Sequence, residues 1–275
     1  MWTWVLLPVL AVISTVVLIC LVLVIRFKIK ENSFSDYYGP NRESLPDSTK
    51  DVGILSLNTC LIWPNINVLD PAAERAMIIA NWIENELPTQ DISFVLFQEV
   101  FVPYWADVIY RAFKQIGWSY IVPRKGSIYS NGLITASYYK IRKKVSRQFD
   151  SCKGMDCLAS KGFTYILSRK TLICNVHLQD DVFDPDRNVR HKQLTSIFKS
   201  VRKSNAKRIA ITGDFNLTAT EMRDFLLQYP EFRVHSVNED DIDYIVLSGF
   251  HLKSVEFLKK FDGVSDHRAF LARID

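Results

Sequence analysis

An uncharged apolar run at the start of the chain constrains this protein more than any other feature of its sequence. Residues 2–25 carry no charged side chain, and the only hydroxyl groups in the run belong to Thr3, Ser14 and Thr15. As an α-helix the run would extend about 36 Å, at roughly 1.5 Å per residue, which is enough to cross the hydrocarbon core of a bilayer. The run therefore predicts a membrane-spanning helix.

Two alternatives to a membrane anchor fit the sequence less well. A helix buried in the core of a soluble domain would be shorter and would show a polar face. A cleaved signal peptide would begin with basic residues and end in small residues, whereas Arg26 directly follows Val24 and Ile25. We predict a transmembrane anchor with a basic flank over residues 1–30.

The composition changes abruptly after the anchor. Residues 31–51 are rich in Asn, Ser, Asp, Gly and Pro, and they predict a polar linker to a catalytic domain over residues 52–275. Only three of the 34 bases lie in the first thirty residues, so the rest of the chain carries 31 bases against 30 acids, a formal charge of +1. Such a domain offers no strong field for phosphates, which disfavours a nucleic-acid partner.

Short β-branched and aromatic runs alternate with runs of helical period after the linker. The segments 73–87 and 194–201 have helical spacing, and the strand-like segments are 53–58, 92–97, 133–137, 163–167, 172–177, 208–212, 244–247 and 268–274. Strands outnumber helices in the second half. This pattern predicts a mixed α/β domain with more than one sheet.

The five cysteines are scattered along the chain. Cys20 lies in the anchor, Cys60 and Cys174 lie in strand-like runs, and Cys152 and Cys157 share a loop. An odd number at these spacings predicts no disulfide framework, and one isolated pair makes a poor zinc site. We expect small buried side chains in the strands and free thiols in the loop.

Eight polar residues lie where apolar runs begin or end: Asn58, Glu99, His177, Asp214, Asn216, Asp243, Asp266 and His267. Singly, each is a common turn residue. Together they supply two histidines and the carboxylate and amide oxygens that bind magnesium, calcium or manganese rather than zinc. Because strand ends can meet in one cleft, the set predicts metal-assisted cleavage of a phosphate ester.

The same residues carry a family resemblance. In chain order they lie in Leu57-Asn58, Phe97-Gln98-Glu99-Val100, Val176-His177-Leu178, Gly213-Asp214-Phe215-Asn216, Asp243-Tyr244 and Ser265-Asp266-His267. This series resembles the endonuclease/exonuclease/phosphatase superfamily over nearly all of residues 52–275. The resemblance implies a four-layer α/β sandwich, with two mixed sheets flanked by helices, behind the N-terminal transmembrane helix.

The resemblance also implies a role for each residue. Glu99, supported by Asn58, would hold the main divalent ion, which would be magnesium or alternatively manganese. Asp266 would contact either the metal or a neighbouring histidine. Asp243 would orient His267 as the general base toward water. The phosphoryl oxygens or the attacking water would be hydrogen-bonded by His177, Asp214 and Asn216.

Residues outside this set resemble neutral sphingomyelinases, including the bacterial secreted type. They are the Asn-x-Cys-Leu start at Asn58, the loop from Asp156 to Phe163, and His177-Leu178-Gln179 with the later Arg190-His191-Lys192-Gln193-Leu194. This resemblance implies that Asp156 and Lys161 contact the substrate. Without it, both would be interpreted as an exposed ion pair worth about 0–1 kcal/mol.

The predicted function is a membrane-anchored, magnesium-dependent phosphodiesterase that hydrolyses sphingomyelin to ceramide and phosphocholine. The alternatives are a membrane-tethered endonuclease, an inositol-phosphate phosphatase with bases around its cleft, and an inactive binding module. A membrane lipid is the predicted partner, and no protein partner is predicted. The basic run over residues 140–144 predicts a solvated sheet edge, with anionic lipid head groups as the alternative.

The charges beside the anchor predict its orientation. Arg26, Lys28 and Lys30 follow it and no base precedes it, so the positive-inside rule places the N-terminus outside and the catalytic domain in the cytosol. The single sequon begins at Asn216, and a glycan there would block the site, which favours a domain in the cytosol. The free thiols expected in the loop are also typical of the cytosol. The expected abundance of sphingomyelin on the opposite leaflet argues for the reverse, as a disulfide between Cys152 and Cys157 would.

Overall fold

The computed structural model describes residues 3–40, 43, 51–62, 71–126, 129–183, 185, 187–236 and 241–275. The chain divides into two units, Met1–Phe34 and Ser35–Asp275. Within the predicted linker, residues 41–42 and 44–50 lie outside the described residues. The predicted domain boundaries at residues 30 and 51 stay a prediction.

The first unit is one helix, α1 (Thr3–Asn32). Its segment Val9–Asn32 has a mean hydropathy of 2.9, and among the described helices it alone is long and apolar enough to cross a membrane. A signal sequence close to an N-terminus would meet the same criteria. The length and composition of this helix agree with the predicted anchor, but they do not fix the orientation of the helix in a membrane.

The second unit contains four further α-helices and twelve strands among its described residues. The helices are α2 (Ala72–Asn85), α3 (Pro103–Gln115), α4 (Asn188–Arg202) and α5 (Ala219–Leu226). The strands are β1 (Val52–Asn58), β2 (Phe94–Gln98), β3 (Ser119–Ile121), β4 (Ile134–Ser137), β5 (Lys143–Gln148), β6 (Gly162–Ser168), β7 (Thr171–His177), β8 (Arg208–Asp214), β9 (Arg233–His235), β10 (Asp243–Ser248), β11 (Leu252–Phe257) and β12 (Phe270–Ile274).

The described strands form two mixed six-stranded sheets. One has the order β11-β12-β1-β2-β4-β3, and the other has the order β5-β6-β7-β8-β10-β9. Within them, β1 and β2 are parallel, as are β7 and β8, and the remaining pairs are antiparallel. The predicted sandwich of two mixed sheets flanked by helices is confirmed.

Apolar side chains fill both sides of each central strand. A cluster between the sheets joins Ile54 and Phe94 of the first sheet to Ile173 and Ile245 of the second. A separate cluster packs the other face of the second sheet against α4 and α5. Strands buried on both faces have continuous apolar sequences, which explains why these strands were predictable from the sequence.

Two helices and several short strands were not predicted: α3, α5, β3, β9 and β11. Helix α3 is rich in aromatic and β-branched residues, which also favour strands. Its buried residues include Ala106, Ile109, Tyr110 and Phe113, whose spacing is helical. Helix α5 begins with a capping box between Thr218 and Glu221.

Candidate active site

The ends of three neighbouring strands place the proposed catalytic residues in one row. In the second sheet, His177 of β7 lies opposite Asp214 of β8, which lies opposite Asp243 of β10. Directly opposed residues point to the same face of a sheet. His177 Nε2 is accordingly 3.5 Å from Asp214 Oδ2. The register of the sheet thus joins residues that are 66 positions apart in the sequence.

The first sheet brings two more residues to the same place. Asn58 ends β1, and its Nδ2 donates to Asp214 Oδ2 at 3.0 Å across the gap between the sheets. Glu99 follows the parallel strand β2, and its Oε1 is 3.6 Å from His177 Nε2. The site therefore lies where the carboxyl ends of parallel strands from both sheets converge.

Two of these residues have left-handed backbone conformations. Glu99 has φ +56° and Asn216 has φ +49°. Such conformations are uncommon for residues other than glycine and are often found at functional sites. The Asp214 side chain holds the second turn, because its Oδ1 accepts the Asn216 backbone N–H at 2.9 Å.

The loop before β12 supplies the second histidine. Ser265 Oγ donates to the Asn58 carbonyl at 2.6 Å and accepts the His267 N–H at 3.1 Å, which fixes this loop against β1. His267 Nδ1 is hydrogen-bonded to Asp243 Oδ2. Its Nε2 is 3.9 Å from Asp214 Oδ2 and 3.5 Å from Asn58 Nδ2. This is the arrangement by which a carboxylate orients an imidazole.

Burial and the crowding of carboxylates shift the pKa values of these groups. Burial raises the pKa of Glu99, and burial together with Asp243 raises the pKa of Asp214 to about 7. Burial and then the charge of Lys161 hold the pKa of His177 well below its usual value, so His177 is neutral. Burial alone would lower the pKa of His267, but Asp243 overcomes that effect and raises it to about 10.

This cluster fits a divalent cation. Two groups of possible ligands have their donor atoms within 4.8 Å of one another, namely Glu99/His177/Asp214 and Asp214/Asp243/His267. Among the described residues, Asp243 Oδ1 and His177 Nδ1 are buried without a hydrogen-bond partner. Buried carboxylates in excess of nearby bases are costly unless a cation balances them. A divalent ion would also lower the pKa of His267, because positive charge disfavours the imidazolium.

The three predicted metal ligands are close to this cluster. A hydrogen bond from Asn58 lowers the pKa of the Glu99 carboxyl, and the negative charge of Asp266 raises the same pKa. Asp266 is exposed at the mouth of the site and accepts a 3.2 Å hydrogen bond from Ser265 Oγ. The structure thus brings Glu99, Asn58 and Asp266 together, and their roles stay predictions.

The pair Asp156 and Lys161 is mostly buried, unlike an exposed loop ion pair. Their side chains are 15% and 8% exposed and lie 2.7 Å apart. Lys161 Nζ also donates to the Leu178 carbonyl at 3.0 Å, and Asp156 Oδ2 accepts the Asp180 N–H at 2.6 Å. The pair is therefore tied to the segment that follows His177.

We expect Asp156→Ala to lower the free energy of unfolding by about 2 kcal/mol, because Lys161 would remain buried without its partner. Adding Lys161→Met should recover most of that loss. The exposed pair of Lys253 and Asp51 is the control, and Asp51→Ala should have no measurable effect. Urea unfolding of the protein in detergent measures all three variants. Equal stability of Asp156→Ala and the parent would show that the pair does not act as a buried ion pair.

A disulfide joins Cys152 and Cys157, so the expectation of free thiols in this loop was wrong. The short helical turn Gly154–Leu158 folds the intervening residues back and brings the two Cα atoms to 5.3 Å, within the range for a disulfide. Cys60 and Cys174 are buried free thiols, as expected, but only Cys174 lies in a strand, because β1 ends at Asn58. The spacing alone could not give the pairing because it does not fix the path of the loop.

Arg75 supports the site and was missed by the sequence analysis. It is 1% exposed, and its guanidinium donates to the carbonyls of Thr59, Cys60 and Val264 at 2.8 to 2.9 Å. It thereby ties the loop after Asn58 to the loop before Ser265. Its position between Ala72 and Ile79 on the buried face of α2 was the available signal.

We expect Arg75→Ala to lower the free energy of unfolding by about 3 kcal/mol, since three buried carbonyls would lose a charged donor. Arg111→Ala is the matched control, because Arg111 is exposed and its one ion pair with a described residue is an i,i+4 pair with Asp107. Urea unfolding of the two variants measures the difference. If both arginines had the same small effect, Arg75 would not hold the two loops together.

Three solved structures share this fold. Sphingomyelinase C from Streptomyces griseocarneus has a TM-score of 0.60 at 17% identity, over 82% of this chain and 99% of that one. A beta toxin double mutant from Staphylococcus aureus with bound magnesium ions has 0.60 at 20% identity, over 81% and 99%. D. rerio TDP2 with a single-strand DNA product has 0.63 at 13% identity, over 82% and 99%.

The fold is also that of an endonuclease/exonuclease/phosphatase family protein from Leptotrichia buccalis C-1013-b. These likenesses confirm the four-layer sandwich that the resemblance implies. No protein-family model matches the sequence, and no curated protein matches it. At these identities the likeness establishes the fold alone.

Proposed function

We propose that this chain is a divalent-cation-dependent phosphodiesterase that hydrolyses sphingomyelin to ceramide and phosphocholine. The convergence of the His267–Asp243 pair with Asp214, Glu99 and Asn58 at the ends of both sheets carries this proposal. An oriented imidazole beside a cluster of oxygen ligands suits attack of water on a phosphodiester.

The side chains divide the work of the reaction. Asp243 holds the tautomer of His267 through Nδ1, which leaves Nε2 to take a proton from the attacking water. The neutral His177, together with Asp214 and Asn216, would hydrogen-bond the phosphoryl oxygens or the attacking water. Glu99, with Asn58 and Asp266, would hold the divalent ion, magnesium or manganese. When bound, that ion would neutralise the charge that builds on the phosphoryl group.

The chemistry beside His267 favours a choline head group over a nucleic acid. A pocket of about 240 Å³ adjoins this histidine, and three acids line it, Asp241, Asp243 and Asp266. Arg268 and Phe257 also line it, and the Arg268 guanidinium lies over the Phe257 ring at 4.7 Å from its centroid. Because three carboxylates face one arginine, this pocket suits a quaternary ammonium cation, whereas additional phosphates of a polyanion would be repelled. The resemblance of the loop from Asp156 to Phe163 to neutral sphingomyelinases also supports a sphingomyelin substrate.

The substrate is tested with the full chain in mixed detergent micelles. Sphingomyelin, phosphatidylcholine, an inositol phosphate and single-stranded DNA are each incubated with Mg²⁺, with Mn²⁺ or with a chelator. We expect phosphocholine release from sphingomyelin with a divalent ion and none with the chelator. Hydrolysis of DNA alone would overturn the lipid proposal in favour of a nuclease, and release of inorganic phosphate from the inositol phosphate alone would favour a phosphatase.

The disulfide supports placing the domain on the side of the membrane away from the cytosol. Disulfides persist in oxidising compartments, and the bond between Cys152 and Cys157 removes the free thiols that supported a cytosolic domain. The basic residues after the anchor and the sequon at Asn216 favour the cytosol, so the arguments conflict. We propose the outer orientation, because it also brings the domain to the leaflet where sphingomyelin is expected.

Protease treatment of sealed microsomes tests this orientation. A domain in the lumen is protected until detergent is added, and alkylation without a reductant leaves Cys152 and Cys157 unmodified. Digestion of the domain in intact vesicles, with both thiols free, would establish the cytosolic orientation that the charge rule predicts.

A further inference from the structure

A groove along the outer face of α4 has the features of a second binding site. It has a volume of about 630 Å³, and its lining contains none of the proposed catalytic residues. Arg147 of the edge strand β5 lines it, and α4 contributes Lys192, Ser196, Lys199 and Ser200, with Lys203 directly after the helix. We call it the α4 groove.

The bases of the α4 groove are not neutralised within the protein. Among the described residues, none of Arg147, Lys192, Lys199 and Lys203 makes an ion pair, and the lining contains one acid, Asp150. Other surface bases do have acidic partners, including Arg111, which pairs with Asp107. Like charges gathered on one surface repel each other, so this concentration favours an anionic ligand.

The fold keeps these bases on one face. Lys192, Lys199 and Lys203 are seven and four positions apart, which places them on the same side of the helix. The opposite side of α4 is fixed in the core by the fully buried Ile197 and Phe198. The helix cannot rotate its lysines away from the groove without exposing that core.

Two hydroxyl groups point to a ligand independently of the charges. Ser196 and Ser200 line the α4 groove, and neither side chain has a hydrogen-bond partner among the described residues. Ser200 is 6% exposed as a residue, and its hydroxyl, which lines the groove, is available as a donor. Bases combined with hydroxyl donors are the groups that bind phosphate oxygens.

The size of the groove selects among phosphate ligands. A volume of about 630 Å³ lies in the range of small-ligand sites. We propose that the α4 groove binds a compact phosphorylated head group that carries at least two phosphates, separately from the catalytic site. A lipid and a free phosphorylated polyol both present that chemistry. The proposal does not depend on the proposed catalytic function.

Binding to the full chain in neutral detergent tests the proposal. The probes are a short-chain inositol lipid with two ring phosphates, inositol trisphosphate, inorganic pyrophosphate and phosphocholine, each followed by titration calorimetry at fixed salt. We expect the lipid or the free inositol phosphate to bind and phosphocholine not to bind. Equal binding of both inositol probes would assign the ligand to the phosphorylated ring alone, and tighter binding of the lipid would assign it to a membrane source.

Charge-matched variants locate the site. Lys192→Gln with Lys199→Gln should weaken binding at least about tenfold, because two charged donors are lost. Lys170→Gln with Lys259→Gln removes the same charge from exposed lysines outside the groove and should change binding less than about twofold. Equal losses in the two variants, no binding by the parent protein, or binding of single-stranded DNA without the inositol probes would each overturn the proposal.

Discussion

His267→Ala is expected to lower turnover at least about 10³-fold, because it removes the group that we propose takes the proton from water. The imidazole is held by Asp243 through Nδ1, and its Nε2 faces Asp214 and Asn58 within the site. The fold should survive, since the His267 side chain is partly exposed and Ser265 already fixes its loop. Phosphocholine release under saturating Mg²⁺ measures the loss.

A second histidine provides the control for this variant. His251 is exposed and pairs with Asp275 at the far end of β12, so His251→Ala should keep the activity of the parent. Asp243→Asn tests the orienting role separately. Because the negative charge of Asp243 raises the pKa of His267 to about 10, its removal should lower the pKa of the imidazole in the metal-free protein, as NMR titration would show. Normal turnover in folded His267→Ala would end its assignment as the base.

Glu99→Gln is expected to have the other large effect, a loss of turnover of at least about 10³-fold through loss of the divalent ion. The substitution keeps the shape of the side chain and removes its charge. Burial already raises the pKa of Glu99, so without metal the neutral glutamine should leave the protein as stable as the parent. The defect should therefore be confined to metal binding and activity.

Thermal unfolding with increasing Mg²⁺ separates the stability of the protein from its affinity for the metal ion. An ion that binds the native state stabilises it more, the more tightly it binds, so the parent should show a rising Tm and Glu99→Gln a much smaller rise. Glu256→Gln, at an exposed position of β11, is the control and should behave as the parent. An undiminished rise in Tm together with undiminished activity in Glu99→Gln would place the ion on other residues.

The inner strands and the residues that follow them were predictable from the sequence. Strands such as β1 and β8 are buried on both faces, and their continuous apolar runs end at Asn58 and Asp214. Helix α3 was not predicted because its aromatic and β-branched residues also favour strands. The short edge strands were not predicted because their apolar and polar residues alternate less clearly. The polar groups at the ends of buried runs were the signal for the site.

What the sequence by itself determined was therefore the apolar anchor-like helix, the class of fold and the set of polar residues at strand ends. The tertiary structure alone decided that Asn58 bonds Asp214, that Asp156 and Lys161 are buried, and that Cys152 pairs with Cys157. The physical reason is that hydrophobic periodicity is a local property of the chain. Sheet order, register and loop paths arise from contacts between distant segments, and these contacts set which polar groups meet, how far they are removed from water and how their pKa values shift.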